Sequence, residues 1–412
     1  MEKFNVIVIG AGAAGLIAAG RAAEKGAKVL LLEKMRKEGK KLLITGKGRC
    51  NITNSLPISD FVKEVLPDGR FLRNAFNRFY TDDIIQLLEK QGMKTILERG
   101  GRYFPKSQKA KDVLDILRQW VVEQGVEVRC DQKVDRIIRE SGKVSGVQCQ
   151  EKKYKAKSII IATGGMSYPA TGSTGDGYAL ARLLGHTIEP LRPSLVALET
   201  DSLIAGHLKE LTLKNVNAMA FVDGKKAFEE FGEMTFDKKI LSGPIIITLS
   251  RFLVEHIQKD HKVEIVVDLK PALDDKKLDR RLLRDLEANS NKRLKTVFAT
   301  WLPALLVPVL MKRIGLDGEK ECHQVSAAER KEIRKTFKNL HFPVIGHRSW
   351  EEAIVTAGGV SVKEVDPQTM ESKLAKGLYF AGEVLNLDGP TGGYNLQIAW
   401  STGWVAGDSV VE

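Results

Sequence analysis

The chain of 412 residues is 43% hydrophobic with a net charge of +12, which predicts two or three globular domains with room to bury a large ligand. No stretch reaches the roughly 18 uninterrupted apolar residues of a membrane helix, and the opening MEKFNVIVIG lacks a signal-peptide pattern, so a soluble cytoplasmic protein is expected. The absence of any CxxC pair argues against a disulfide framework or a zinc site built on the four cysteines, Cys50, Cys130, Cys149 and Cys322.

The first elements predict a βαβ unit. An apolar strand at Phe4 to Ile9 leads through a glycine turn into a helix at Ala14 to Lys25, and a second apolar strand covers Lys28 to Glu33. Strands of this kind are typical of a parallel sheet covered by helices, and a right-handed crossover places the glycine turn at the edge where ligands bind. The sequence therefore predicts an α/β fold.

The turn has the spacing GxGxxG at Gly10, Gly12 and Gly15, and Glu33 ends the next strand. Gly10 permits the tight turn, Gly12 lets the backbone approach a pyrophosphate, and Gly15 lets the helix and strand close up. The helix N-terminus offers free N–H groups to phosphate, and Glu33 can accept both ribose hydroxyls. A purely structural turn is the alternative, but the strand, helix and acid are all in register, which favours a dinucleotide.

A loop with the sequence KLLITGKGRCNITN follows at Lys41 to Asn54. Its glycines, cations and polar side chains can wrap a ring or a pyrophosphate. Lys47 and Arg49 are candidates for contacts with phosphate or an anionic substrate, and the alternative is a solvated surface loop. Cys50 is a candidate redox thiol, although a buried packing role is favoured because it has no CxxC partner.

Further elements are predicted along the first region. Thr81 is expected to cap a helix, and Ala110 to Glu123 is expected to form another. Val126 to Gln150 predicts a β-meander, and an apolar strand at Lys157 to Ala162 returns to the cofactor edge. The motifs ATGG, which ends that strand, and TGDG, which opens a helix, predict further cofactor contacts at Ala162, Thr163, Gly164, Gly165 and Asp176.

The composition changes past Pro190, where short strands and hairpin signals such as Asp223-Gly224 precede charged helical segments. This change predicts an inserted, β-rich domain with a helical subdomain at about 274–338. The predicted domains are a first part of the cofactor domain at 1–190, the inserted domain at 191–346, and a second part of the cofactor domain at 347–412.

The segment GLYFAGEVLNLDGPTGGYNLQIAWSTGWVAG near the C-terminus supplies a second set of ligand-binding signals. Glu383 follows Gly382 at a strand end, where a carboxylate can hold a ribitol hydroxyl. Gly392 and Gly393 leave room for an isoalloxazine ring, and a helix beginning near Tyr394 presents its positive end to the reduced flavin. An ordinary loop with an exposed acid is the alternative, but together with the N-terminal fingerprint this segment predicts FAD.

The seven histidines show no HxH or HExxH spacing, so no metal site is expected. The TGDG segment resembles that of flavin enzymes of the fumarate reductase group, but no histidine precedes His186 for the covalent attachment of that group. Dissociable FAD is therefore predicted. Tyr168, His347 and Arg348 are candidates for the substrate pocket. The candidate catalytic residues are these three and Cys50.

The motifs GAGAAG, TGKGRCNITN, ATGG, TGDG, LSGP, TAGGV and FAGEVLNLDGPTGGYNLQIAW occur in an order that resembles the bacterial BaiN/RdsA-like NAD(P)/FAD-dependent oxidoreductases, a group that includes aminoacetone oxidase. The resemblance covers essentially the whole chain. It implies a glutathione-reductase-like FAD domain made from both ends of the chain, an inserted β-barrel-like domain and a small helical subdomain. Asn386 departs from the family pattern, which favours Asp, and this departure leaves no acid role there.

The motifs and the resemblance together predict one FAD site from both ends of the chain. Its residues are Gly10, Gly12, Ala13, Ala14, Gly15, Glu33, Lys34, Lys41, Gly48, Arg49, Cys50, Asn51, Val134, Ala162, Thr163, Gly164, Gly165, Asp176, Gly382, Glu383, Gly392, Gly393, Tyr394, Asn395 and Leu396.

The expected function is hydride transfer between a small-molecule substrate or NAD(P)H and non-covalently bound FAD. The single dinucleotide fingerprint predicts that NAD(P)H binds only transiently. Two alternatives stay open: a flavoprotein that modifies or binds RNA, motivated by the charge of +12, and a redox sensor with little turnover. No basic block with interleaved aromatics occurs, so nucleic acid is the less favoured partner, and no membrane partner is expected.

Overall fold

The computed structural model describes residues 2–411, and the chain separates into two compact units. The first unit runs to Pro193 and resumes at Trp350, and the second is Ser194–Ser349. Among residues 2–411, every helix is too short or too polar to cross a bilayer.

The first unit is built on a parallel sheet of five strands. Every residue of four of these strands, Val6–Ile9, Val29–Leu32, Ser158–Ile161 and Leu378–Phe380, is buried. This burial is expected for a sheet that helices cover on both faces. The predicted α/β fold is confirmed. The strands lie in the order Leu378–Phe380, Ser158–Ile161, Val6–Ile9, Val29–Leu32 and Glu127–Arg129.

The α-helices of this unit are Ala13–Glu24, Lys40–Ile44, Ile58–Phe61, Arg73–Arg78, Thr81–Lys90, Ala110–Glu123, Asp176–Leu183 and Tyr394–Ser409. The first and the last pack closely against each other, although they come from opposite ends of the chain. A Cβ atom at Gly403 would lie 2.5 Å from the carbonyl oxygen of Ala14, and one at Gly407 would lie 2.4 Å from that of Ala18. The two glycines therefore permit a backbone approach that joins both ends of the chain into one layer.

Three smaller sheets complete the first unit. They are the sheet of Glu2–Lys3, Lys152–Lys155, Lys143–Cys149 and Arg136–Glu140, the sheet of Thr53–Asn54, Arg102–Pro105 and Thr95–Glu98, and the pair of Ile188–Ser194 with Val355–Val360.

Two local predictions are wrong. The strand Glu127–Arg129 does not belong to the β-meander, because it pairs with Leu30–Leu32 and extends the main sheet. Thr81 is not an N-cap: Tyr80 occupies that position, and its N–H donates to Asp83 Oδ2 at 2.7 Å. The Thr81 hydroxyl instead donates to the carbonyl of Asn54 at 2.7 Å, a tertiary contact that local sequence does not reveal.

The second unit contains a closed barrel of six strands whose neighbours all pair antiparallel. The helix Pro244–Gln258 packs on the barrel, and its Ile246 and Leu249 share a core with Phe236 and Phe342 of the strands. The barrel implied by the family resemblance is present. Its strands lie in the order Leu198–Thr200, Ile240–Ser242, Lys225–Asp237, Thr212–Val222, Val263–Asp268 and Leu340–His347, and a short helix covers Leu203–Gly206.

A group of four helices extends the core of the barrel. Phe298 and Phe337 meet edge to face within it, with ring centroids 5.7 Å apart. The last helix begins with a capping box, in which Ser326 Oγ accepts from the N–H of Glu329 at 3.2 Å and Glu329 accepts from the N–H of Ser326 at 2.8 Å. The four helices are Asp275–Glu287, Leu294–Trp301, Leu306–Ile314 and Ala327–Lys338.

Candidate cofactor site

The glycine turn has the geometry that a nucleotide fingerprint requires. Gly10 has a φ of +100°, and a Cβ atom there would lie 2.6 Å from the carbonyl oxygen of Ala162. A Cβ atom at Gly15 would lie 1.8 Å from the carbonyl oxygen of Gly10, so the helix and the turn are in direct contact. A Cβ atom at Gly12 would meet nothing within 4 Å. Gly12 therefore faces open space at the start of the helix Ala13–Glu24, where a pyrophosphate fits.

Glu33 is tied to the glycine turn by its own carboxylate. Its Oε2 accepts from the N–H of Ala11 at 2.9 Å, and its Oε1 accepts from the N–H of Met35 at 2.9 Å. Burial raises the pKa of Glu33 above its ordinary value, against the effect of these hydrogen bonds. Each oxygen keeps acceptor capacity for a ribose hydroxyl.

Lys34 and Asp176 form an ion pair beside this acid, with Nζ and Oδ2 2.6 Å apart. Lys34 also donates to the hydroxyl of Thr174, in the TGDG segment. Asp176 begins the helix that the TGDG motif predicts. Two residues predicted separately thus meet, although 142 positions separate them.

Glu383 lies at the centre of a hydrogen-bonded network that we call the Glu383 network, formed with Lys41, Ser167 and Thr356. Glu383 Oε2 accepts from Lys41 Nζ at 2.6 Å. Its Oε1 accepts from Ser167 Oγ at 2.8 Å and from the N–H of Thr356 at 2.9 Å. Lys41 Nζ also donates to Ser167 Oγ at 2.6 Å. A Cβ atom at Gly165 would lie 2.3 Å from Thr356 Oγ1, which explains the glycine.

Ser167 and Thr356 belong to the Glu383 network, although the sequence motifs do not include Ser167 and give Thr356 no role. Both are fully buried. Ser167 comes two residues after ATGG, and Thr356 begins TAGGV, so both lay next to a recognised motif. What connects them is that Thr356 Oγ1 accepts from the N–H of Met166 at 2.8 Å, a contact between segments 190 residues apart.

The diglycine turn near the C-terminus packs directly on the N-terminal loop. A Cβ atom at Gly393, which has a φ of +96°, would lie 2.5 Å from the backbone of Thr53. Asn54 Nδ2 donates to the carbonyl of Gly392 at 3.0 Å. Within the turn, Asn395 Oδ1 accepts from the N–H of Gly389 at 2.8 Å. The backbone at this turn therefore has little freedom, which suits a surface that must fit a planar ring.

Arg49 is engaged within the protein. Its guanidinium donates to Glu98 and Gln108 and lies over the ring of Phe104, 4.1 Å from the centroid. A role with phosphate would require Arg49 to share or exchange these partners. Lys47 is exposed in the same loop, with a left-handed φ of +57°.

Cys50 is fully buried, and burial raises the pKa of its thiol to about 12. The thiol therefore stays protonated at neutral pH, and reagents do not reach it. Its backbone has a φ of +61°. These properties disfavour a redox or catalytic role and agree with packing.

We expect iodoacetamide to label Cys130 well before Cys50 in the native protein. Cys130 is partly exposed, whereas Cys50 has no exposed surface, although burial also raises the pKa of Cys130, to about 11. Peptide mass spectrometry after timed labelling checks this order, and labelling in denaturant gives the reference for both thiols. Early labelling of native Cys50 would restore the redox interpretation.

The remaining candidate residues differ in their surroundings. Tyr168 is half-buried beside Ser167, within the first unit. His347 and Arg348 belong to the barrel unit, where Arg348 Nη1 donates to Glu199 Oε1 at 3.0 Å. Val134 is buried in the core of the first unit. Among residues 2–411, no group of three or more His, Cys, Asp and Glu side chains could hold a metal ion.

The residues of the first unit fit FAD on structural grounds. The open side of Gly12 suits a pyrophosphate, the acceptor oxygens of Glu33 suit a ribose, and the tightly held turn at Gly393 suits a ring. Glu383 supplies a second carboxylate on the C-terminal segment. Together these groups suit an extended dinucleotide with a sugar alcohol between its phosphates and its ring.

Comparisons with known proteins agree with this arrangement. A curated relative from Clostridium scindens, "3-dehydro-bile acid delta(4,6)-reductase", is 30% identical over 409 residues, 98% of each chain. The "Ribosomal RNA dihydrouridine synthase" of Escherichia coli is 29% identical and covers 100% of this chain and 99% of the relative.

Among solved structures, a 3-ketosteroid delta1-dehydrogenase from Sterolibacterium denitrificans shares the fold, with a TM-score of 0.51, 13% identity and full coverage of both chains. The family model described as the HI0933-like protein Rossmann domain matches residues 4–409. The chain therefore belongs to the HI0933-like family of FAD-dependent Rossmann flavoproteins, as the order of its motifs indicated.

Proposed function

We propose that the protein is an FAD-dependent oxidoreductase that adds two hydrogens across a carbon–carbon double bond conjugated to a carbonyl group. The main support is that two relatives with substrates of different classes are both named for reducing such a double bond. One relative is named for reducing double bonds of a 3-oxo bile acid, and another for making dihydrouridine from uridine. Both align with nearly the whole chain at similar identity, so their common chemistry is better supported than either substrate.

In this proposal the first unit holds the cofactor. Gly12 and the helix that follows bind the pyrophosphate, Glu33 binds the ribose, and Glu383 binds a ribitol hydroxyl. Bound FAD would supply hydride transfer at its N5 position. The helix Tyr394–Ser409 offers its positive end to negative charge on the reduced ring.

We also propose that FAD is bound non-covalently and that NAD(P)H, as electron donor, binds only transiently. The support is that GxGxxG at Gly10 to Gly15 is the single dinucleotide fingerprint of the chain. Rapid mixing of the oxidised protein with NADH or NADPH tests this. We expect slow reduction, linear in donor concentration; fast reduction that saturates at micromolar donor would contradict it.

We assign substrate selection to the inserted segment, residues 191–346.

A uridine in RNA is the second candidate substrate, and the positive charge of the inserted segment favours it. Residues 274–338 carry 16 Lys or Arg against 10 Asp or Glu, which is half of the net charge of the chain. RNA binding through this segment would weaken steeply with salt, because each neutralised phosphate releases counterions. Binding that is absent even at low salt would remove RNA from consideration.

The reaction class is tested by the oxidation of photoreduced protein. The FAD-loaded protein is reduced anaerobically with light and mixed with 2-cyclohexenone, 4-androstene-3,17-dione or a uridine-containing oligonucleotide. We expect at least one of these probes to restore the oxidised flavin spectrum, whereas cyclohexanone, which lacks the double bond, leaves the flavin reduced. Failure of all three unsaturated probes would overturn the proposed reaction.

A redox sensor would need a reactive thiol, and Cys50 is the candidate redox thiol of the sequence. This thiol is fully buried and its pKa is raised, so Cys50 gives no support to a sensor. Slow reduction of the flavin by every donor tried, together with no oxidation of the reduced flavin by any unsaturated probe, would still favour a sensor over an enzyme.

A further inference from the structure

Tyr168 has a backbone conformation that is unfavourable for its residue type. Its φ and ψ are +53° and +61°, in the left-handed region, where a bulky residue is strained. The next residue is Pro169, and a residue before proline normally has an extended backbone. Strain of this kind persists only where the surroundings fix it, and it concentrates at functional positions.

The surroundings of Tyr168 do fix its backbone. Its N–H donates to the carbonyl of Trp350 at 2.9 Å, and its own carbonyl accepts from the N–H and the hydroxyl of Thr171 at 2.9 and 2.7 Å. The preceding residue, Ser167, hydrogen-bonds to both Lys41 and Glu383. Tyr168 is thus held one residue from the Glu383 network, which we assign to the ribitol.

The hydroxyl of Tyr168 has no hydrogen-bond partner among residues 2–411, although the side chain is half-buried. Two other tyrosines of the unit are engaged: the hydroxyl of Tyr80 donates to the carbonyl of Leu56 at 2.7 Å, and that of Tyr178 donates to the carbonyl of Glu383 at 3.4 Å. Half-buried phenols usually find a partner. An unengaged one beside a cofactor site is available to a substrate.

Three other groups of this unit could release a proton to a substrate, namely Cys50, His186 and Tyr103, but each is less suitable than Tyr168. Cys50 is fully buried, and His186 is buried with its Nε2 2.7 Å from Ser372 Oγ. Tyr103 also has a hydroxyl without a partner among residues 2–411, but it lies in a strand that pairs with Thr53 and has an ordinary extended backbone. Burial, followed by the charge of Glu352, raises the pKa of Tyr168, so its phenol stays protonated at neutral pH.

We propose that Tyr168 is the proton donor of the reduction, an inference that rests on the proposed function. Bound FAD, reduced by NAD(P)H or another two-electron donor, would supply the hydride for the β-carbon of the substrate, and the π electrons would move toward the carbonyl. The Tyr168 O–H bond breaks, and its proton forms the new C–H bond at the α-carbon. Water then returns a proton to the phenolate. One proton from Tyr168 and one hydride that bound FAD would supply thus account for the two hydrogens and two electrons that the substrate gains.

Tyr168→Phe separates the proton from the hydride. Photoreduced variant and wild-type proteins are mixed with the probe that oxidises the wild type, among 2-cyclohexenone, 4-androstene-3,17-dione and the uridine oligonucleotide. We expect oxidation by the probe to fall about 100-fold or more. The FAD dissociation constant and the rate of oxidation by oxygen should stay within about twofold, and the melting temperature should be unchanged, because the ring remains. Tyr154→Phe, which alters a phenol of the small four-stranded sheet, is the matched control.

A second measurement does not depend on turnover. The ultraviolet difference spectrum between cofactor-free wild type and Tyr168→Phe, followed at 295 nm over pH, should show one phenol that titrates above the ordinary value of about 10. A phenol that titrates at or below that value would contradict the half-buried, protonated donor.

The outcomes separate the inference from the proposed function. If the wild type is oxidised and Tyr168→Phe is oxidised equally fast, the assignment of Tyr168 fails while the reaction class stands. If Tyr103→Phe rather than Tyr168→Phe loses the step, the donor is Tyr103 and the assignment is again overturned. If no unsaturated probe oxidises the wild type, the proposed function fails and the inference fails with it.

Discussion

A Gly12→Val chain is expected to fold normally and to lose FAD, whereas a Gly15→Ala chain is expected to be strongly destabilised. A Cβ atom at Gly12 meets nothing within 4 Å, so a valine there costs the protein no contact and occupies the space assigned to pyrophosphate. At Gly15 the Cβ atom would lie 1.8 Å from a backbone oxygen of Gly10, which cannot move aside as a flexible side chain could. The two substitutions thus distinguish ligand space from packing space.

The expected magnitudes are large for both. Gly12→Val should weaken FAD binding by about 100-fold or more, equivalent to about 2.8 kcal/mol, with an unchanged melting temperature of the cofactor-free protein. Gly15→Ala should lower the free energy of unfolding by about 3 kcal/mol or more. Flavin absorbance per protein and thermal unfolding measure the two effects.

Gly206→Ala in the barrel unit is the matched control, because a Cβ atom at Gly206 also meets nothing within 4 Å and its φ is not positive. It should alter neither FAD content nor melting temperature. Stoichiometric FAD in Gly12→Val would contradict the assignment of the pyrophosphate to this turn, and a stable, folded Gly15→Ala would contradict the packing argument.

The sequence predicts those parts of the fold whose signals are local. The strand Val6–Ile9 is apolar throughout, and Gly10, Gly12 and Gly15 mark the turn that follows, so spacing alone indicates the geometry found there. The helix at Tyr394–Ser409 begins where the diglycine predicts. Here local residue chemistry and the three-dimensional structure agree.

Features that depend on distant contacts are not predictable in this way. The strand Glu127–Arg129 has the composition of a meander strand, and only its pairing with Leu30–Leu32 places it in the main sheet. Arg49 looks like a free cation in the sequence, yet Glu98, 49 positions away, accepts from its guanidinium. Such pairings depend on the tertiary fold, and no local motif encodes them.

The Glu383 network shows both cases together. Glu383 and Lys41 are each predicted from a motif, but the sequence does not show that their side chains meet across 342 positions. Ser167 carries no motif of its own, and its role appears only because its hydroxyl lies between the two. A site built from both ends of a chain is therefore recognised from its ends, while its internal hydrogen bonds require the structure.

Glu383→Gln is expected to weaken FAD binding by about 10- to 100-fold. The carboxylate accepts from Lys41, Ser167 and Thr356, so the neutral amide loses one charge-assisted bond and turns an N–H₂ group toward a donor. A hydrogen bond to a charged group contributes about 1.5–3 kcal/mol, which gives the expected range. Titration of the cofactor-free protein with FAD, followed by flavin fluorescence, measures the dissociation constant.

Lys41→Met should weaken FAD binding less in a Glu383→Gln background than in the wild type. The reason is that Glu383→Gln already removes the ion pair between Lys41 Nζ and Glu383 Oε2, which lie 2.6 Å apart. The double variant should therefore show a coupling of about 1 kcal/mol or more. Lys63→Met is the matched control, since it breaks a similar pair, Lys63 Nζ to Asp60 Oδ1 at 2.7 Å, that is exposed and outside the site. It should leave the FAD dissociation constant unchanged. Strictly additive effects of Glu383→Gln and Lys41→Met would mean that the two residues bind FAD independently, and the network would then have no cooperative role in holding the cofactor.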